Sequence, residues 1–198
     1  MQRWFNDHAD VCMKNKTHMG FAVPTASVNV VYQMCHLFSH YFDEGLGLRQ
    51  VMDYYFALRV WHNDVMECKD LQTQGMWIEG LGTPVMSKEE IMAVLRSFGM
   101  GKFAGAVMWV LHEVFAMPAL CYIYEPNEKE GKKLLEEIMK GGNFGQYDER
   151  GKEFKNGGMI KHGLWKLKRV MRLVRSYPEE ALWEPVFRVY HLIWRLIY

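Results

Sequence analysis

Apolar residues recur along most of this chain at intervals of three and four, the period of helices that bury one face. No run of alternating β-branched residues is long enough to seed a sheet. The pattern predicts a mainly α fold, a single compact helical domain of about seven helices. Residues 1–24 form an opening segment with little periodicity, in which "FAVP" is the only plausible short strand. A first helix is expected over 27–43, closed by "EGLG", and a second over 48–62. Residues 63–84, rich in Gly, Gln and Asp, read as a long irregular connection. "SKEE" at 87–90 has the form of a capping box, so a third helix is expected from Ser87 to about Gly99.

"GKFAGAVMWVLHEVFAM" reads as helical up to Pro118, and its small residues Ala104, Gly105 and Ala106 leave room for a close neighbour. "PNEKEGKKLLEEIMKGG" carries Asn127 as an N-cap and a double glycine stop at 141 and 142. Glycine and charge dominate 141–158, a loop, and the last two helices are placed at 159–176 and 178–198, with Pro178 in a first turn.

Composition narrows the picture in two ways. With 198 residues, 49% of them hydrophobic, the chain is long enough for one large core, and 1–198 is read as one domain. A formal net charge of +1 gives no global field to recruit nucleic acid or an acidic membrane. The four cysteines, Cys12, Cys35, Cys68 and Cys121, stand apart with no C-x-x-C pair and read as reduced, buried thiols. Without a signal peptide or a span of roughly 20 apolar residues, the expected location is the cytoplasm.

On the first helix, Val28, Val31, Tyr32, Met34, Cys35, Leu37, Phe38, Tyr41 and Phe42 cover more than half the circumference at about 100° per residue. Asn29, Gln33, His36, His40 and Asp43 share the remaining stripe, so His36 and His40 stack one turn apart. The stripe is either a polar groove wall with two imidazoles for a phosphate or a proton, or a solvated face. Histidines at i and i+4 can share zinc, but no H-E-x-x-H and no nearby cysteine accompanies these two, and no metal site is assigned.

The second helix opens "LRQVMDYY", with Arg49 in the first turn and Asp53 four residues later. A helix start already carries positive dipole charge, and an acid preceding the base is the better order for a supporting pair. A local rule broken inside a well-formed element points to a site, here one for an anion, while the plain alternative pairs Arg49 with Asp43 or Glu44.

The loop "GGNFGQYDERG" offers Asn143, Asp148 and Arg150 between aromatic anchors and is able to close over a pocket. Cations from Lys161 to Arg175 gather on one side of their helix, usually a solvated face. There is no G-x-S-x-G, no phosphate-binding G-x-x-x-x-G-K-[ST], no G-x-G-x-x-G after a strand and no Asp-x-Asp for two-metal chemistry.

Four stretches, "VYQMCHLFSHYFDEGLGLRQVMDYYFALR", "GMGKFAGAVMWVLHEVFAM", "EKEGKKLLEEIMKGGNFGQYDER" and "SYPEEALWEPVFRVYHLIWR", together resemble the C-terminal half of a bacterial family of uncharacterised nucleotidyltransferases. The resemblance covers nearly the whole chain. It implies a polymerase-β-type enzyme in which an N-terminal α/β domain bears the metal-binding acids and a helical region follows. The implied ligands of the complete enzyme are an NTP and Mg2+, and the reaction is transfer of a nucleoside monophosphate to an acceptor.

The segment that would hold the catalytic acids is absent from this chain, so the resemblance gives no catalytic residue here and no cofactor for the chain alone. It predicts a helical half that is inactive by itself and partnered by the catalytic domain in cis or in trans. Its substrate-binding candidates are His36, His40, Arg49, Gln50, Asp53, Asn143, Asp148 and Arg150, with Gly45 and Gly47 beside them. The alternative function is a non-catalytic helical interaction module, antitoxin-like or a scaffold.

Overall fold

The computed structural model describes residues 1–43, 45–73, 85–141 and Tyr177, with residues 43 and 67–73 as backbone only. The helices, in chain order, are α1 (Gln2–Asp7), α2 (Ala9–Lys14), α3 (Ala26–Asp43), α4 (Leu48–Thr73), α5 (Lys88–Ser97), α6 (Gly101–Phe115) and α7 (Glu128–Gly141), with a single 3₁₀ turn at Ala119–Cys121. Among the described residues there is no strand. The "FAVP" segment contributes only an isolated antiparallel bridge between Lys16 and Ala22.

Helix starts follow the local chemistry. Thr25 Oγ1 accepts from the Val28 amide at 3.3 Å, so α3 begins just ahead of the expected Ser27. The Ser27 hydroxyl instead accepts from the Met86 amide at 2.8 Å and ties the segment before α5 to α3. The capping box of α5 forms as its spacing predicts, with Ser87 Oγ accepting from Glu90 N at 3.2 Å and Glu90 Oε2 from Ser87 N at 2.8 Å. Asn127 Oδ1 accepts from Glu130 N at 3.1 Å and caps α7.

Three expectations are corrected. α4 runs on past His62 to Thr73, because residues 63–73 contain no glycine or proline to stop it and Val65 still packs against the core. The opening segment forms two short helices, whose Trp4 and Phe5 rings meet Phe98 and Tyr32 edge-on, each at 6.2 Å. α6 ends at Phe115, where Ala116 turns left-handed at φ 49° and passes its amide to His112 O, three residues before the helix was expected to reach Pro118. The loop at 142–158 and the helices expected at 159–176 and 178–198 lie outside the described residues, Tyr177 excepted.

The core lies where α3 packs on α4 and α6 on α7, with α5 and α6 joining the two pairs. Phe103 of α6 is fully buried among Phe38 at 5.1 Å, Tyr41 at 5.4 Å and Tyr177 at 6.3 Å, ring centre to ring centre. The small residues of α6 serve as expected. Gly105 O accepts from Asn127 N at 2.9 Å, and a Cβ on Gly105 would stand 3.1 Å from Glu125 O.

Of the cysteines, Cys121 is buried while Cys12 and Cys35 are only half-buried, and all three are free thiols. The side chain of Cys68 lies outside the described residues. No helix among the described residues is long and apolar enough to cross a membrane.

Glu130 of α7 is buried beside Lys133 at 2.9 Å and Lys102 of α6 at 3.7 Å. Burial pushes its carboxyl up, but the Lys133 hydrogen bond and the charges of both lysines outweigh that, and the group is held below its ordinary 4.5. The folded state therefore takes up this proton less readily than the unfolded chain. The resulting stability is present above pH 4.5 and is lost as pH falls through the lower folded value. Glu130→Gln is expected to melt below the wild type at pH 7, with the gap closing as the buffer is taken below pH 4.5. A gap of the same size across that range, followed by thermal melts, would show that the carboxylate charge contributes nothing.

Candidate functional site

The turn between α3 and α4 sets the site. Gly45 adopts φ 108°, a value that side-chain-bearing residues rarely take, and sends its amide back to His40 O at 2.7 Å. Leu46 is buried, and Gly47 then donates its amide to Gln50 Oε1 at 2.8 Å, the return half of a capping box at the start of α4. So short a connection lays α4 antiparallel along α3. The last turns of α3 come to lie beside the first turns of α4.

Between them is an open groove of about 570 Å³. Asn29, Gln33 and His36 of α3 and Gln50 and Asp53 of α4 supply its polar lining, so three residues of the stripe read from the first helix border the groove. Gln33 Nε2 donates to Asn29 Oδ1 at 3.3 Å, and the Nε2 atoms of His36 and His40 stand 3.1 Å apart. Burial, and behind it the proximity of His40, lowers the His36 pKa from its ordinary value. The Tyr32 ring lies nearly parallel to His36, at 11° and 5.9 Å.

Among the described residues, two buried polar side-chain atoms have no hydrogen-bond partner. Gln50 spends its oxygen on Gly47 and leaves Nε2 unpaired, and the Tyr54 hydroxyl, one turn along, is equally unsatisfied. An orphan donor of this kind costs about 1–3 kcal/mol.

The structure thus brings together three of the expected residues, His36, Gln50 and Asp53, with His40 reaching the group through His36. Arg49 is exposed on the first turn of α4 and does not line the groove. Among the described residues it forms no ion pair with Asp53, so the reversed order is not explained by a pair within the helix. Asn143, Asp148, Arg150, Glu44 and the side chain of Asp43 lie outside the described residues.

No family model, curated protein or solved structure matches the chain.

The groups lining the groove both donate and accept. Asp53 offers a carboxylate, and His36 either role according to its tautomer. Sequence reasoning missed the rim. Tyr32, expected on the buried side, is 52% exposed, and Phe56 and Val60 of α4 are 58% and 54% exposed along the same groove. Exposed rings flanking polar groups suit a planar or partly apolar ligand, or a second protein surface.

A nucleophilic role for the cysteine on α3 is disfavoured, since burial pushes the Cys35 thiol up to about 11 and keeps it protonated at neutral pH. Among the described residues no three His, Cys, Asp or Glu side chains cluster to hold a metal ion.

Proposed function

We propose that this chain is the helical half of a nucleotidyltransferase-family protein and that the α3–α4 groove forms one wall of its substrate site. The catalytic acids and their Mg2+ would belong to an α/β domain, in cis or in trans, and a nucleoside monophosphate would pass from an NTP to an acceptor. The observation that carries the reading is the groove itself. Gln50, the Asp53 carboxylate and His36 line it within a rim of exposed Tyr32, Phe56 and Val60. A polar pocket framed by uncovered apolar surface is what remains on one part of a site whose other part is a separate folded unit. Arg49 is exposed on the first turn of α4, one residue before Gln50 of the groove lining, and its guanidinium would meet a phosphate of the nucleotide.

The test is NMP transfer by the native protein, recovered from its source with an antibody to this chain and supplied with α-labelled NTPs and Mg2+. Transfer is expected. Arg49→Ala and Asp53→Ala should each cut it by about tenfold or more, a loss of roughly 1.4 kcal/mol, while the melting temperature stays within a few degrees. Absence of both nucleotide binding and transfer in the recovered protein would sink the proposal.

The same exposed rim favours a second reading, a non-catalytic interaction module that uses Tyr32, Met52, Phe56 and Val60 as its docking face. In that case Phe56→Asp would abolish a partner complex whose assembly is indifferent to NTP.

A further inference from the structure

The segment between α2 and α3 is a built hairpin that holds apolar side chains out in solvent. Thr17 N donates to Phe21 O and Gly20 N to Thr17 O, each at 2.8 Å, and Gly20 takes φ 84°, a tight turn closed by a left-handed residue. Below the turn, Val23 N donates to Asn15 O at 2.9 Å, while Asn15 Nδ2 donates to Val23 O at 3.1 Å and to Pro24 O at 3.2 Å. His18 and Met19 are thereby held at the corner of the turn, and Phe21 opens the returning arm. Met19 is 72% exposed and Phe21 69%, with Met13, at the foot of the outgoing arm, 65%. A cluster of large apolar side chains kept in water by a hydrogen-bonded frame marks a contact surface.

The chain's near-neutral total conceals a local excess of positive charge here. Between Asp10 and Asp43 the sequence has no acidic residue. Lys14 and Lys16 are exposed in that stretch, and among the described residues neither stands in an ion pair. The α3–α4 groove differs on this point, since its exposed rim surrounds the Asp53 carboxylate. An apolar tip flanked by cations and free of acids is complementary to an anionic bilayer. Hydrocarbon accepts the tip, and long lysine stems let the ammonium groups stay at headgroup level. Single-stranded nucleic acid, the other extended anion, calls for several aromatic platforms. This tip has one ring beside methionines, whose thioethers gain from burial in hydrocarbon and offer no flat face to a base.

We propose that the 15–24 hairpin is a peripheral docking device for an anionic lipid surface. Met19 and Phe21 enter the interfacial layer, and Lys14 and Lys16, with Met13 beside them, meet the headgroups. Attachment is to one leaflet and reversible, because so few side chains bury far less apolar surface than a spanning helix. The inference stands apart from the nucleotidyltransferase reading, and vesicle binding and NMP transfer can each fail without the other.

The experiment is co-sedimentation of the full chain with vesicles of phosphatidylcholine alone and of phosphatidylcholine mixed with phosphatidylserine, at low and at raised salt. Binding to the mixed vesicles is expected, with little to phosphatidylcholine alone and a fall as salt rises. Met19→Ser and Phe21→Ser should each weaken it by about tenfold, and Lys14→Gln and Lys16→Gln by about fivefold each. Leu120→Ser, which removes a similarly exposed apolar side chain elsewhere, should leave it unchanged. All five positions are exposed, so melting temperatures should match the wild type. Failure of the unaltered chain to bind the mixed vesicles, or binding that survives in the Met19→Ser/Phe21→Ser double variant, overturns the proposal. Capture of an oligothymidylate in place of the vesicles also overturns it and would assign the patch to single-stranded nucleic acid.

Discussion

Phe103→Ala is expected to cost about 3–5 kcal/mol, which for a chain of this length lowers the melting temperature by roughly 6–20 °C. The ring is fully buried on α6 and meets Phe38, Tyr41 and Tyr177 at edge-on or tilted angles of 67°, 37° and 72°. Truncation removes its transfer free energy and leaves a cavity walled by other rings, which cannot collapse without leaving their own contacts. Phe103→Leu refills most of the volume and should recover the larger part of the loss. The sharper test is a double-mutant cycle with Tyr177→Ala. Residues that share one cluster couple, by about 0.5–1.5 kcal/mol for aromatic pairs, whereas distant ones add. Strict additivity in urea unfolding would mean that Tyr177 does not pack on α6.

Gly131→Ala is the second large effect, and its sign runs against helix propensity. Alanine at an exposed helical position favours the helix over glycine by about 1 kcal/mol. Gly131, however, is buried on α7 facing α6, and a Cβ there would lie 2.5 Å from Trp109 Cε3 and 2.6 Å from Trp109 Cβ. A ring can swing aside, but Trp109 Cβ is fixed to the α6 backbone, so the two helices would have to separate. Overpacking of this kind costs about 1–3 kcal/mol beyond the propensity gain. The expected result is a fall in melting temperature of roughly 2–12 °C, with a larger fall for Gly131→Val. A Gly131→Ala protein more stable than the wild type would show that α6 and α7 do not approach this closely in solution. Gly141→Ala provides the contrast, because among the described residues nothing lies within 4 Å of a Cβ at that position.

How much of this was legible in the sequence varies with the range over which each signal acts. Ser87 with Glu90, and Asn127 before its acidic first turn, define helix starts through contacts three residues long, and both form as their spacing predicts. The close approach at Gly105 was readable from the run of small residues, though not its partner, Asn127. The end of α4 was misread because Asn63, Asp64 and the polar residues after them resemble a loop in composition, while composition without a breaker does not stop a helix. α1 and α2 span six residues each, too short for periodicity to register, and α1 meets the rest of the molecule through Trp4 and Phe5.

The site divides in the same way. Asn29, Gln33 and His36 were recognisable as one stripe of one helix. That Gln50 and Asp53 would face them depends on the turn at Gly45, and that Tyr32 would be exposed depends on which face of α3 meets α4. Neither is encoded in the pattern of a single helix. Gln50 shows the limit most clearly, since its oxygen serves the helix start and its nitrogen is buried without a partner among the described residues.

The contact of Tyr177 with Phe38 at 5.9 Å joins residues far apart in the chain. At a synthesis rate of about 5–20 residues per second, Phe38 leaves the ribosome roughly 7–28 s before the residue that covers it. For that interval Phe38, Tyr41 and Phe42 lack one of their walls, and the nascent chain presents to the cell a sticky surface that the finished molecule conceals.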